Sequence, residues 1–218
     1  MSITPKTNPL MQRLGAKSRQ KGYSIIELSI ALAIVSIILV TALTGVQRIL
    51  RTNNLNEELK KANLLVAKLT TLLASSNSTD GVTTSTLASM KVFEDYQVAI
   101  DSKNNVATVS ASFNGSTIET FPNSDQIDST PANTGVLVYF RGLPPEICAD
   151  FINGISTISS HITTSNDVKT APTGKVLANT VKAAGTPITL SNLATGCATT
   201  ATNNKVTVAA LITNKTAN

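Results

Sequence analysis

Lys21-Gly22-Tyr23-Ser24-Ile25-Ile26-Glu27 opens an otherwise apolar run that reaches Val46, and this stretch decides the fold. From Leu28 to Gln47 there are 20 consecutive residues without a charge. About 20 apolar residues are enough to span the hydrocarbon of a bilayer as a helix. Glu27 is the one acid in this segment. A carboxylate at the membrane centre costs roughly 2.5–3.5 kcal/mol, so by default it is functional and needs a partner. Proteolysis after Gly22 would create one, because the new amine at Tyr23 would sit one helical turn from Glu27.

A secretory signal would place a small-residue cleavage site after the apolar core. Here the cleavable-looking site precedes the core, and no Ala-x-Ala pattern follows Val46. An uncleaved membrane anchor remains open, since basic residues before the span favour a cytoplasmic N-terminus in either case. The charge distribution sets the leading stretch apart. Residues 1–22 carry Lys6, Arg13, Lys17, Arg19 and Lys21 and no acid, a net charge equal to the +5 of the whole chain. They hold five of the 18 bases, so the remainder balances at 13 bases and 13 acids. The basic character therefore belongs to the leading stretch and points to no nucleic-acid partner. No Arg cluster or aromatic interleaving marks a groove for one.

Basic Arg19 and Lys21, then Gly22, Tyr23, Glu27 and the run to Val46, resemble the N-terminal signature of the type IV pilins. The resemblance implies that a membrane prepilin peptidase cuts after Gly22 and methylates the amine of Tyr23. It implies that Glu27 neutralises that amine on a neighbouring subunit as a filament grows. Tyr23 departs from the Phe or Met more usual at that position. On this reading residues 1–22 are a prepilin leader, and residues 23–47 are a transmembrane segment that later forms the filament core. Residues 48–218 are then a globular domain outside the inner membrane.

The helical pattern continues past the span. Leu55, Leu59, Ala62, Val66, Leu69 and Leu73 recur at spacings of three and four, one apolar stripe. Asn56, Glu57, Lys60, Lys61 and Lys68 fall on the other side, with Glu57 placed to pair with Lys61 one turn on. No Pro occurs from Tyr23 to Phe121, and Ser75-Ser76-Asn77-Ser78 followed by Asp80-Gly81 ends the pattern. A helix over about 23–74 would be on the order of 75–80 Å long. Its second half is amphipathic and should pack on a domain of its own.

Beyond Asp80 the chain is rich in Thr, Ser, Asn, Ala and Val. Strand-like runs stand at 96–100, 106–113, 136–140, 187–190 and 206–212, separated by turn signals such as Lys103-Asn104-Asn105 and Asn114-Gly115. Leu143-Pro144-Pro145 introduces a helix over 146–158. The expected fold is α+β: the long N-terminal helix of the pilin fold laid on an antiparallel sheet. All 13 acids lie between Glu27 and Asp167, and the later residues carry only Lys169, Lys175, Lys182, Lys205 and Lys215. The two segments could pair within one subunit, the favoured reading, or between subunits.

Cys148 and Cys197 are the only cysteines. In the oxidising compartment that the resemblance implies, an even count reads as a disulfide, with two buried free thiols as the alternative. Gly142-Leu143-Pro144-Pro145-Glu146-Ile147-Cys148-Ala149-Asp150-Phe151 is similar to the Val-Pro-x-x-x-Cys-x-x-Leu element of type IVb thin-pilus pilins of conjugative plasmids. That similarity implies a major pilin of a type IVb pilus, a homo-oligomeric filament for adhesion, aggregation or mating contact. It would be built by the pilus assembly machinery, with residues 149–196 exposed for specificity. A minor pilin, a type II secretion pseudopilin and a monomeric membrane-tethered binding protein are the alternatives.

Catalytic chemistry finds no footing. His161, flanked by Ser160, reads as a solvated loop residue, and with one imidazole and two cysteines no zinc spacing exists. Glu57/Glu58 and Glu94/Asp95 are sequence neighbours, which on a helix or strand point apart and form no carboxylate dyad. No phosphate loop, nucleophile elbow or cofactor motif appears. The expected protein is not an enzyme.

Overall fold

The computed structural model describes residues 24–76, 78–101, 103, 106–113, 115–166, 173–199 and 204–213. The chain divides into two units, Met1–Gln47 and Arg48–Asn218. Helix α1, Ile25–Ser75, starts in the first and ends in the second. It meets the expected span of about 23–74, although Tyr23 lies outside the described residues.

In the first unit the helix is apolar on every side. Its few hydroxyls are satisfied inside the helix: Ser29 Oγ donates to the Ile25 carbonyl at 2.8 Å, and Ser36 Oγ to that of Leu32 at 2.7 Å. Thr41 and Thr44 likewise bond back by three or four residues. A hydroxyl that bonds its own helix leaves no unsatisfied polar group for a hydrocarbon environment.

In the second unit α1 becomes amphipathic. Leu55, Ala62, Leu65, Val66, Leu69 and Leu73 are buried, and Leu59 is half-buried. On the solvent side Lys61 Nζ meets Glu57 Oε1 at 2.5 Å, the pairing expected one turn apart. Glu58 departs from the expected pattern: it sits in the buried stripe with no solvent exposure.

The buried face of α1 packs on an antiparallel sheet. Short helix α2 (Thr84–Ser89) precedes β1 (Gln97–Asp101), β2 (Val106–Ser110), β3 (Thr117–Pro122) and β4 (Gly135–Leu143). Then follow α3 (Pro145–Ile155), β5 (His161–Ser165), β6 (Asn179–Lys182), α4 (Leu190–Gly196) and β7 (Val206–Thr213). The strand order is β1-β2-β3-β4-β7-β5-β6, so the last strand enters the centre beside β4. In β4 and β7 side chains alternate between two cores. Val138, Phe140, Val208 and Ala210 face α1 and α3, while Leu137, Tyr139, Ala209 and Leu211 face a smaller cluster with Ile127. Burial on both faces is why both strands read as largely apolar runs.

Four of the five expected strands form, at 97–101, 106–110, 135–143 and 206–213. The run at 187–190 does not; Thr189 instead caps α4 by accepting the Asn192 N–H at 3.2 Å, and Leu190 is 83% exposed. Two β-branched residues in four were too few to outweigh a Thr in capping position. The expected helix at 146–158 is observed as Pro145–Ile155, with Pro144 at the N-cap and Pro145 in the first turn. That turn lacks intrahelical acceptors for its N–H groups anyway, so Pro loses nothing there.

Candidate functional site

Gly22 and Tyr23, the expected processing and methylation residues, lie outside the described residues. Glu27 falls in the first turn of α1, where a carboxylate is favoured by the helix dipole. None of the ion pairs among the described residues involves it. The apolar side chains around and after it are bare: Ile25 is 83% exposed and Leu43 62%. The helix is long and apolar enough to cross a membrane. Burying a large aliphatic side chain is worth roughly 1.5–3 kcal/mol, so a face of this extent must be covered by lipid or by other apolar helices.

The second expected feature is formed. Cys148 on α3 and Cys197 at the C-cap of α4 are joined in a disulfide, with their Cα atoms 5.7 Å apart. Cys148 is wholly buried in the larger core. α3 is tied to its surroundings on two other sides. Gly154 leaves room for Leu59 of α1, whose Cδ2 would lie 2.5 Å from an added Cβ. Lys182 Nζ donates to the carbonyls of Ser156 and Ser159, which it reaches by lying partly buried. That burial pulls its pKa below the ordinary lysine value. Within the Cys-bounded region, strand β5 is buried and the chain at 185–187 and 189–192 is exposed.

His161 corrects its expected place. It stands at the start of β5, 6% exposed, with Nδ1 2.7 Å from Asp128 Oδ2. Asp128 Oδ2 also accepts the Ala184 N–H at 2.8 Å. Burial pushes the Asp128 pKa up, but the bonds from Ala184 and His161 outweigh it and hold the carboxyl below its usual value. The group clasps the β3–β4 loop to β5 and to the turn after β6. It is a structural clasp, and the flanking Ser160 hydroxyl donates instead to the Leu211 carbonyl at 3.0 Å.

The neighbouring acids divide as the chain geometry dictates. Glu57 is exposed and Glu58 buried on the same helix. Glu94 and Asp95 lie in a turn, and there both reach Lys68 Nζ, at 2.5 and 3.3 Å. The hydrogen bond from Lys68 to Glu94 outweighs a small desolvation and raises the lysine pKa. Among the described residues no group of three or more His, Cys, Asp or Glu side chains could hold a metal. Lys175 pairs with Asp125 at 3.2 Å, one contact of the basic C-terminal part with the acidic part inside the subunit; Asp167, Lys169 and Lys215 lie outside the described residues.

Residues 17–43 match the prokaryotic N-terminal methylation motif. Among solved structures the chain is similar to a type IVb pilin from Salmonella typhi, with 18% identity and a TM-score of 0.48 over 75% of this chain and 99% of that one. It is also similar to TcpA, a type IV pilin from the Vibrio cholerae El Tor biotype, with 16% identity and a TM-score of 0.48 over 73% and 98% of the two chains. No protein of curated function matches the sequence. The chain is pilin-like in its N-terminal signal, and it joins that signal to a long helix and an antiparallel head sheet.

Proposed function

We propose that this protein is a type IVb pilin, the major structural subunit of a surface filament, and that it is not an enzyme. The observation that carries the reading is the methylation motif over residues 17–43 at the head of a bare apolar helix. Residues 1–22 would be removed as leader, residues 23–47 would cross the inner membrane and then form the filament core, and residues 48–218 would form the head. Prepilin peptidase would cut after Gly22 and methylate Tyr23.

Glu27 has a defined role in this scheme. In hydrocarbon an isolated carboxylate is costly, and the positive amine of an incoming subunit's Tyr23 offsets that cost. Pairing sets the axial register, because a register one turn off leaves both charges unpaired. Adhesion, aggregation or mating contact would follow from the exposed head, with the Cys148–Cys197 region as its variable surface.

The test is Glu27→Leu, read by shearing filaments from cells and weighing the subunit. The variant, weighed from the membrane fraction, should have the mass of residues 23–218 plus one methyl group and less two hydrogens, yet yield no filaments. A normal filament yield from Glu27→Leu would refute the assembly role. A full-length mass in the wild type, with protein only in membranes, would instead leave a tethered envelope protein.

A further inference from the structure

From Leu28 to Gln47 the chain carries no charge, and the first charged residues after it are Arg48 and Arg51. No acid follows until Glu57. Both arginines belong to α1. A helical residue rises about 1.5 Å, so along the helix they stand within about 6 Å of Gln47. The polar headgroup layer on each side of a bilayer is about 5–7 Å deep. When the preceding segment crosses the hydrocarbon, the two guanidinium groups therefore fall at headgroup depth.

The head adds a third base to them. Arg51 reaches Glu146 in the first turn of α3, but at 3.8 Å, with both side chains half exposed, the pair is loose. Glu146 stands three residues past Leu143 at the end of β4, and Leu143 pairs with Val206 of β7. Lys205 immediately precedes that strand. Its stem runs along Gly142 and its ammonium lies over the turn between β2 and β3. An added Cβ would meet its Cδ at 3.6 Å at Gly142 and its Nζ at 3.1 Å at Gly115. Arg51 and Lys205 thus flank one corner of the head, the β4–α3 junction. Lys61, Lys68 and Arg141 are answered by acids within the head. Arg48 and Lys205 are in no ion pair among the described residues. The acids facing these bases are Glu146 and, one turn further along α3, the exposed Asp150.

We propose that this corner is a lipid seat: before assembly, Arg48, Arg51 and Lys205 bind the phosphate groups of an anionic membrane surface. The inference rests on the reading of residues 23–47 as a membrane span. A guanidinium presents a planar fork of donors that meets two phosphate oxygens at once, and Lys205 adds a point charge. The five bases of the leading stretch hold that end on the cytoplasmic side, so Arg48 and Arg51 emerge where bases are ordinarily sparse. Lipid phosphate supplies their counter-charge there. Each base near an anionic surface strengthens attachment roughly fivefold. The attraction fades within a Debye length, about 8 Å at physiological salt. Drawing the span out of the bilayer carries the arginines beyond that reach and leaves Arg51 to Glu146.

The test reconstitutes the full chain into nanodiscs of mixed phosphatidylcholine and phosphatidylglycerol, and native mass spectrometry counts the two lipids that it retains. The comparison is with a variant carrying Arg48→Gln, Arg51→Gln and Lys205→Gln; the leading bases are present in both proteins and cancel. The wild type should prefer phosphatidylglycerol over the variant's level by roughly fivefold for each base removed. Arg48→Lys with Arg51→Lys keeps the charge and should keep most of the preference. An equal preference in wild type and triple variant overturns the seat. Should the triple variant not fold, Arg48→Gln alone decides: a roughly fivefold loss supports the seat, and no change overturns it. Inorganic phosphate that strips the retained phosphatidylglycerol would make this a site for free phosphate, and would overturn the lipid assignment. A chain that enters no disc overturns the span and the seat together, whereas one that enters without preference overturns the seat alone.

Discussion

Removing the disulfide, by Cys148→Ala with Cys197→Ala, should destabilise the head strongly. The bond closes a loop with a sequence separation of 49. On the chain-entropy account that closure is worth about 4 kcal/mol, because the cross-linked unfolded chain has fewer conformations to lose. Domains are commonly stable by only about 5–15 kcal/mol, so the loss is a large fraction. For a head of this size it corresponds to a fall in Tm of roughly 8–16 °C. The damage should be uneven. α4 has seven residues, too few to persist alone, and it buries only Leu193 and Gly196. Strands β4 and β7 are buried along almost their whole length and do not depend on the bridge. Thermal unfolding of the full chain in micelles measures the first effect, and hydrogen exchange read by mass spectrometry measures the second. Amides of α4 should exchange much faster while those of β4 and β7 hold. A Tm shift below about 3 °C, with α4 still protected, would refute the reasoning, since the loop would then be constrained by something else.

Two further expectations follow from single contacts. Gly174 adopts φ +76°, and an added Cβ would lie 2.3 Å from the Pro122 carbonyl oxygen; Gly174→Ala should therefore destabilise by about 2–4 kcal/mol from left-handed strain plus forced backbone movement. An unchanged denaturant midpoint would show that this crossing can relax freely. Asp128→Asn should weaken the clasp to His161 and Ala184 at neutral pH. Because the folded Asp128 pKa is lowered, its contribution is present above the unfolded value and is lost as pH falls through the folded one. The wild-type and variant stabilities should therefore converge on acidification below about pH 4, and parallel curves down to the acid limit would count against the clasp.

The long helix was legible because its signals are redundant. Length without charge marks the first half, and the Leu55-to-Leu73 stripe marks the second. β4 and β7 were legible as apolar runs. Strand β5, His161–Ser165, was not, for a physical reason: its sequence His-Ile-Thr-Thr-Ser is polar, yet it is buried between β7 and β6. Two of its polar side chains are taken up by partners that no local pattern reveals. His161 meets Asp128 from 33 residues earlier, and Thr163 Oγ1 accepts the Leu177 N–H at 3.0 Å. β3 hid in the same way, with Glu119 answered by Arg141 of β4 at 2.6 Å.

Glu58 had a local signal that composition masks. It lies three residues after Leu55 and four before Ala62, squarely on the apolar stripe, and the adjacent Glu57 makes the pair look like an ordinary charged surface. Helical phase separates the two: 100° of rotation carries Glu57 to Lys61 and solvent, and Glu58 to Tyr96 and Ser112. Sequence phase alone would have placed the acid inside, but not said whether it was paired. That depended on where Lys61 spends its charge, which only the fold decides. With Lys61 drawn outward by Glu57, the buried acid is left to a backbone N–H and a phenol, and burial holds its pKa above the ordinary carboxylate value.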